Sequence, residues 1–143
     1  MIYRKYGPKK INLSVIGLGG IVVKDTNPFE AEEIIEHAHN NGVNYFDVAP
    51  GYGNAQELMG PVIEVIRSDV FLACKTNKRD KENSKIELED SLKKLRTDYF
   101  DLYQLHGMKS KEDYEEAMGK NGVIEALDKA KKDGKIKHVG FSC

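Results

Sequence analysis

The sequence predicts an α/β fold built on a parallel sheet, and three observations carry that prediction. Short apolar runs of strand length alternate along the chain with segments whose apolar residues recur at helical spacing. The strand runs are apolar nearly throughout instead of alternating with polar residues, the pattern of strands covered by helices. Cap and stop residues fall at the changeovers between the two kinds of segment.

Taken in order, Ile11–Leu18 is the first strand, running into Gly19 and Gly20. Asn27 caps the first helix, with Pro28 in its first turn and Glu30 placed to reach back. Ala31, Ile34, Ile35 and Ala38 form its apolar face, and Gly42 closes it. Tyr45–Ala49 is the second strand, stopped by Pro50 and Gly51. Asn54 with Glu57 repeats the capping signature ahead of a stripe at Leu58, Val62 and Ile66; Pro61 within it is expected to kink or restart the helix. Val70–Cys74 is the third strand. Ser84 with Glu87 caps a third helix whose stripe is Leu88, Leu92 and Leu95. Tyr99–Leu105 is the fourth strand, and Ser110–Met118 a short helix in a long connection. Val123, Ile124, Leu127 and Ala130 mark a further helix ending at Gly134, and Val139–Phe141 is the fifth strand.

The 143 residues fit one domain large enough to bury a core, and no linker or repeat interrupts them. Apolar content of 40% with 31% charged residues suits a soluble globular protein. With 22 basic and 23 acidic residues the net charge is −1, so no global field recruits nucleic acid or an anionic membrane. No run approaches membrane-spanning or signal-peptide length. Two cysteines, Cys74 and Cys143, make neither a disulfide framework nor a metal site, which together with these absences indicates a cytoplasmic setting. His37 and His39 lie on different helix faces and are not a metal pair, so no metal is expected.

Polar groups with chemistry interrupt or directly follow the strands. Asp47 sits among Phe46 and Val48 and needs a cationic partner. Tyr52 follows in the turn, Lys75 ends the third strand and His106 ends the fourth. Parallel strands joined by right-handed crossovers place all their carboxyl ends on one edge, where α/β proteins bind ligands. The four side chains are therefore expected to meet on one rim. An ammonium favours a nearby phenolate, a carboxylate fixes that ammonium, and a neutral imidazole can orient a carbonyl oxygen. Such a set protonates a developing alkoxide, the complement of hydride addition, and the hydride itself needs a cofactor. Taken singly, each residue also has a structural reading: a cap, a surface amine, a satisfied histidine, a surface phenol. The Gly17–Gly20 stretch lacks the G-x-G-x-x-G continuation and indicates only close backbone approach.

Four ordered motifs carry a family resemblance: Asp47–Gly53 (Asp-Val-Ala-Pro-Gly-Tyr-Gly), Ala73–Thr76 (Ala-Cys-Lys-Thr), Asp101–His106 (Asp-Leu-Tyr-Gln-Leu-His) and His138–Ser142 (His-Val-Gly-Phe-Ser). In order and spacing the chain resembles the aldo-keto reductases. Its opening and the segment from Leu95 to Tyr99 look like the bacterial and archaeal branch, some of whose members carry a C-terminal ferredoxin-like iron–sulfur domain. The resemblance implies a (β/α)8 barrel and NADP(H)-dependent reduction of aldehydes and ketones, small-molecule carbonyl substrates. It also implies Tyr52 as proton donor, Lys75 and Asp47 as its tuning pair and His106 as the substrate-orienting residue. Gly20, Asp47 and Ser142 fall where the family meets the cofactor. Val48, Cys74 and Cys143 depart from the family pattern.

A complete barrel runs to about 250 residues, and this chain reaches only five strands. It is therefore expected to be residues 1–143 of a longer barrel, with five strands in order 1-2-3-4-5, helices on the outer face, and exposed edges at strands one and five. Its missing partner is then the carboxyl half of that barrel, and the fragment alone is expected to be inactive. Two other readings stay open: a flavodoxin-like nucleotide-binding sheet of order 2-1-3-4-5, and a non-catalytic NADP(H)-binding scaffold like the potassium-channel β subunits.

Overall fold

The computed structural model describes all 143 residues. Five strands form a wholly parallel sheet: β3 (Leu18–Gly19), β4 (Tyr45–Asp47), β5 (Phe71–Thr76), β6 (Phe100–Leu105) and β7 (Ile136–Phe141), hydrogen-bonded in that sequential order. Sequential order excludes the flavodoxin-like arrangement, in which the second strand would lie outside the first. The architecture is an incomplete (β/α)8 barrel, as the sequence predicts. β3 and β7 are its edges.

Helices α1 (Pro28–Asn40), α2 (Ala55–Ile66), α3 (Lys81–Lys94) and α5 (Val123–Lys132) pack side by side on the convex face, and α4 (Lys111–Met118) packs on α5. The strand residues facing them make the core. Phe46, Leu72, Cys74, Phe100, Tyr103 and Ile136 are each fully or almost fully buried there with Ile35, Met59, Ile63, Leu88 and Leu127. Burying each large apolar side chain contributes about 1.5–3 kcal/mol. On the concave face, Tyr45, Asp47, Phe71, Leu102, Gln104 and His138 line an open trough of about 860 Å³ that no helix enters.

The amino terminus corrects the sequence reading. Ile11–Leu18 is not one strand: β1 (Tyr3–Tyr6) and β2 (Ile11–Ser14) form a separate antiparallel hairpin, and only Leu18–Gly19 joins the barrel. The hairpin turns at Gly7, whose φ of 66° suits glycine. The break between the two strands is Gly17, where a Cβ would come within 2.6 Å of the Tyr45 ring. Asn44 ties the two sheets together, accepting from the Ser14 N–H at 2.7 Å and donating to the Asn12 carbonyl at 2.9 Å.

Three helix signals resolve differently from expectation. Asn27 caps α1 as predicted, accepting from the Glu30 N–H at 2.9 Å. Asn54 does not cap α2; its side-chain oxygen accepts from the Asp25 N–H at 2.8 Å. α2 is a single helix through Pro61, which is exposed, and the adjacent Gly60 is buried against α3. A Cβ on Gly60 would lie 2.2 Å from the Lys94 carbonyl oxygen. The cap of α3 lies four residues before the predicted one, at Asp80, whose carboxylate accepts from the Asn83 N–H at 2.9 Å. Ser84 is buried inside the helix, and Glu87 is spent on the loop after β5. The short helix expected over Ser110–Met118 is present as α4, and Ser110 caps it in a full capping box with Asp113.

At the rim opposite the carboxyl ends, Arg67 closes the barrel wall. It donates to the Val70 carbonyl, the Tyr99 carbonyl and Asp101 at 3.0, 2.9 and 2.8 Å, and stacks 3.8 Å over the Tyr99 ring. Lys137 on β7 reaches the other oxygen of Asp101 at 2.9 Å, so one carboxylate links three strands with α2.

Candidate active site

The register places the site. Asp47 pairs with Ala73, and Lys75 lies two residues further along β5, opposite Gln104 on β6. Side chains alternate along a strand, so Lys75 lies on the same side of the sheet as Asp47 and Gln104, which line the trough, while Cys74 and Thr76 face the helices. Beyond β4 the chain turns sharply: the Tyr52 N–H donates to the Ala49 carbonyl at 3.0 Å, and Gly53 adopts a φ of 58°. That turn swings the phenol back over the sheet.

The four predicted side chains meet. Lys75 and Asp47 form a close ion pair, with the lysine side chain 7% exposed and the aspartate 22%. The Lys75 ammonium also donates to the Tyr52 hydroxyl at 3.3 Å and lies 5.0 Å from its ring centroid. The rings of Tyr52 and His106 stand edge to face, 6.1 Å between centroids. Burial and the neighbouring Lys75 charge push the His106 imidazole below its usual pKa against the pull of Asp47, so the ring is neutral near pH 7. A desolvated ammonium beside a phenol stabilises the phenolate left when its proton departs. A neutral imidazole can donate to, or accept from, a polar oxygen at the same mouth.

Gly20 and Ser142 lie at the carboxyl ends of the two edge strands. Gly20 is buried, and a Cβ there would meet Met59 at 2.7 Å and Val48 at 3.0 Å. Its need for glycine is thus a packing one. The Ser142 hydroxyl accepts from the Gly107 N–H at 3.2 Å, and the Ser142 carbonyl accepts from Met108 at 2.7 Å. Serine therefore joins the loop that follows His106. Its hydroxyl proton is still free to donate to an acceptor at the mouth. The departures from the family pattern are accommodated: Val48 packs on Gly20, and Cys74 lies in the core, accepting from Gln56 at 3.4 Å.

Sequence reading missed several groups that hold the site. Gln104 donates to the second oxygen of Asp47 at 3.3 Å. Its signal was available: a polar residue at a trough-facing position of an apolar strand, two before His106. Asn77 meets the ring of His106, Arg79 donates to its carbonyl, and Glu87 accepts from the Asn77 N–H. Their signal was not available, because they act through a loop whose path the sequence does not specify.

Fold and site together define a βα-barrel protein whose polar groups converge at the carboxyl mouth of the sheet. The Aldo/keto reductase family profile matches residues 15–143. Among curated proteins, an uncharacterized oxidoreductase of Bacillus subtilis is 33% identical over 97% of this chain and 48% of its own length. The glyoxal reductase of the same organism is 32% identical over 92% of this chain and 46% of its own. Among solved structures, the holo form of an aldo-keto reductase from Bacillus halodurans superposes with a TM-score of 0.84 at 30% identity, covering 99% of this chain and 50% of that one. An aldo-keto reductase from Klebsiella pneumoniae in complex with NADPH gives 0.79 at 26% identity, covering 100% and 50%. The chain belongs to the aldo/keto reductase family, and it spans about half the length of the curated relatives it matches. None of its helices is long and apolar enough to cross a membrane.

Proposed function

We propose that the whole protein reduces small aldehydes or ketones with NADP(H), and that Tyr52 supplies the proton. The observation that carries this reading is the contact of the Lys75 ammonium with the Tyr52 hydroxyl at 3.3 Å, on a lysine itself paired to Asp47. The cofactor, when bound, supplies the hydride. Tyr52 gives its hydroxyl proton to the oxygen of the reduced carbonyl, and Lys75 stabilises the phenolate left behind. Asp47 pairs with Lys75 and holds it in place, with Gln104 restraining the far carboxylate oxygen. His106 orients the substrate oxygen through its ring. Ser142 and the backbone near Gly20, with Asp47, form the nicotinamide end of the cofactor site, and the NADPH-bound relative supports this cofactor class.

The remaining barrel strands belong, in this reading, to sequence beyond Cys143 in the complete protein. They would pair with the edges of β3 and β7 and fill the trough between them. The exposed Val15, Ile16, Val139 and Phe141 on or beside those edges are apolar surface awaiting such cover.

The experiment follows NADPH oxidation at 340 nm by the complete protein over a panel of carbonyl compounds, for wild type and Tyr52→Phe. The variant is expected to lose about 10²–10⁴-fold in kcat, the usual share of general acid catalysis, and to keep its NADPH affinity. Normal turnover by Tyr52→Phe would remove the proton-donor assignment. A wild type that binds NADPH but reduces no carbonyl would favour a non-catalytic scaffold.

A further inference from the structure

We propose that Asn77 is a positioning residue for His106, holding the imidazole by Nδ1 so that Nε2 is the nitrogen offered to the substrate oxygen. This rests on the reading of His106 given above and adds the device that aims it. The backbone of His106 is already pinned from the loop after β5. Its N–H donates to the Thr76 carbonyl at 3.0 Å, and Arg79 donates to its carbonyl at 2.6 Å and to that of Gly107 at 3.2 Å. A pinned backbone leaves the ring torsion open, because a terminal torsion of this kind is broad and roughly two-fold. The 3.0 Å contact between His106 Nδ1 and Asn77 Oδ1 removes that freedom. Nε2, on the far side of the ring from that contact, has no hydrogen-bond partner in the protein.

Asn77 is itself held. Its N–H donates to Glu87 at 2.8 Å, and the same carboxylate oxygen accepts from the Thr76 hydroxyl at 2.6 Å. Helix α3 thereby sets the height of the loop, and the loop sets the amide. Asn77 Nδ2, by contrast, has no partner, so the amide can turn over in place.

That freedom has a chemical consequence. With the amide oxygen on Nδ1, the proton sits on Nδ1 and Nε2 carries a lone pair that accepts from an alcohol hydroxyl. With the amide nitrogen on Nδ1, the proton sits on Nε2, which then donates to a carbonyl oxygen. The orientation of the Asn77 amide thus sets whether the ring presents a donor to a carbonyl oxygen or an acceptor to a hydroxyl. A carboxylate at the same place would lock the first state. The charged groups around the ring are Lys75, Asp47, Arg79 and Glu87, and burial with the Lys75 charge holds the imidazole below its usual pKa, so both tautomers considered are neutral.

The test is the tautomer of His106, read from long-range ¹H–¹⁵N spectra of the labelled protein above its titration. His106→Gln assigns the signal, and His37, His39 and His138 are internal controls. Asn77→Ala is expected to change the Nδ1–H to Nε2–H ratio of His106 by about fivefold, the factor an ordinary net hydrogen bond supports. Asn77→Asp is expected to leave Nδ1–H alone populated and to raise the His106 titration midpoint. His106 nitrogen shifts in Asn77→Ala that coincide with wild type would overturn the proposal. Because the measurement needs neither cofactor nor turnover, its failure is distinct from normal activity in Tyr52→Phe, which would overturn the functional reading instead.

Discussion

Lys75 touches both Asp47 and Tyr52, pairing with the first and donating to the second at 3.3 Å, and it does so from a side chain that is almost wholly buried. One ammonium thus holds together two residues that come from different segments of the chain. Removing it leaves a half-buried carboxylate with only the Gln104 amide for company.

Lys75→Met should therefore cost stability as well as chemistry. Urea unfolding is expected to show a loss of about 1–3 kcal/mol, below the 3–5 of a fully buried pair because Asp47 retains some contact with water. The double variant Asp47→Asn with Lys75→Met should recover part of that loss, since no charge is then left unpaired. A double variant as unstable as the sum of both singles would contradict this account.

Gly60→Ala tests the seating of α2 on α3. Alanine is the better helix former by about 1 kcal/mol. Its Cβ would nevertheless sit 2.2 Å from the Lys94 carbonyl oxygen, backbone that cannot easily move. Sterics win, and the net effect is a loss of about 1–3 kcal/mol in thermal or urea unfolding.

Asp101 should govern the acid limb of stability. Burial opposes its ionisation, but Lys137, the Leu72 N–H and Arg67 together hold its carboxyl below the usual aspartate value of 3.8. The unfolded chain then binds the proton first as pH falls, so this contribution is present above pH 3.8 and disappears as pH drops through the depressed value. Asp101→Asn should destabilise the protein by about 2–4 kcal/mol at pH 7, leaving Arg67 short of its partner. The gap between wild type and variant should close in strong acid. A gap independent of pH would show that the carboxylate charge is not what matters.

The two cysteines should differ in reactivity. Burial pushes the Cys74 thiol up to about 12, whereas Cys143 is exposed at the end of the chain. A thiol reagent at pH 8 should modify one group per native chain at once and the second only after unfolding.

The sheet was legible in the sequence because its strands carry the period and apolarity of helix-covered parallel strands, and because Asp47, Lys75 and His106 break that apolarity at the carboxyl ends. Helix boundaries were less legible. Ser84 and Glu87 have capping spacing, yet Asp80 caps the helix and Glu87 serves the loop, since either use satisfies the same local pattern. The hairpin went unread although Gly7 and Pro8 separate two short runs, because Ile11 to Leu18 also makes a plausible single strand.

What the sequence determined by itself is the class of fold and the identity of the four converging side chains, since chain direction in a parallel sheet sends every strand end to the same rim. Only the tertiary structure decided which groups hold those four in place. Gln104 on Asp47, Asn77 on His106 and Glu87 beneath the loop are contacts between residues 57, 29 and 10 positions apart. They depend on strand register and loop path, and both are set by packing of the whole sheet against its helices.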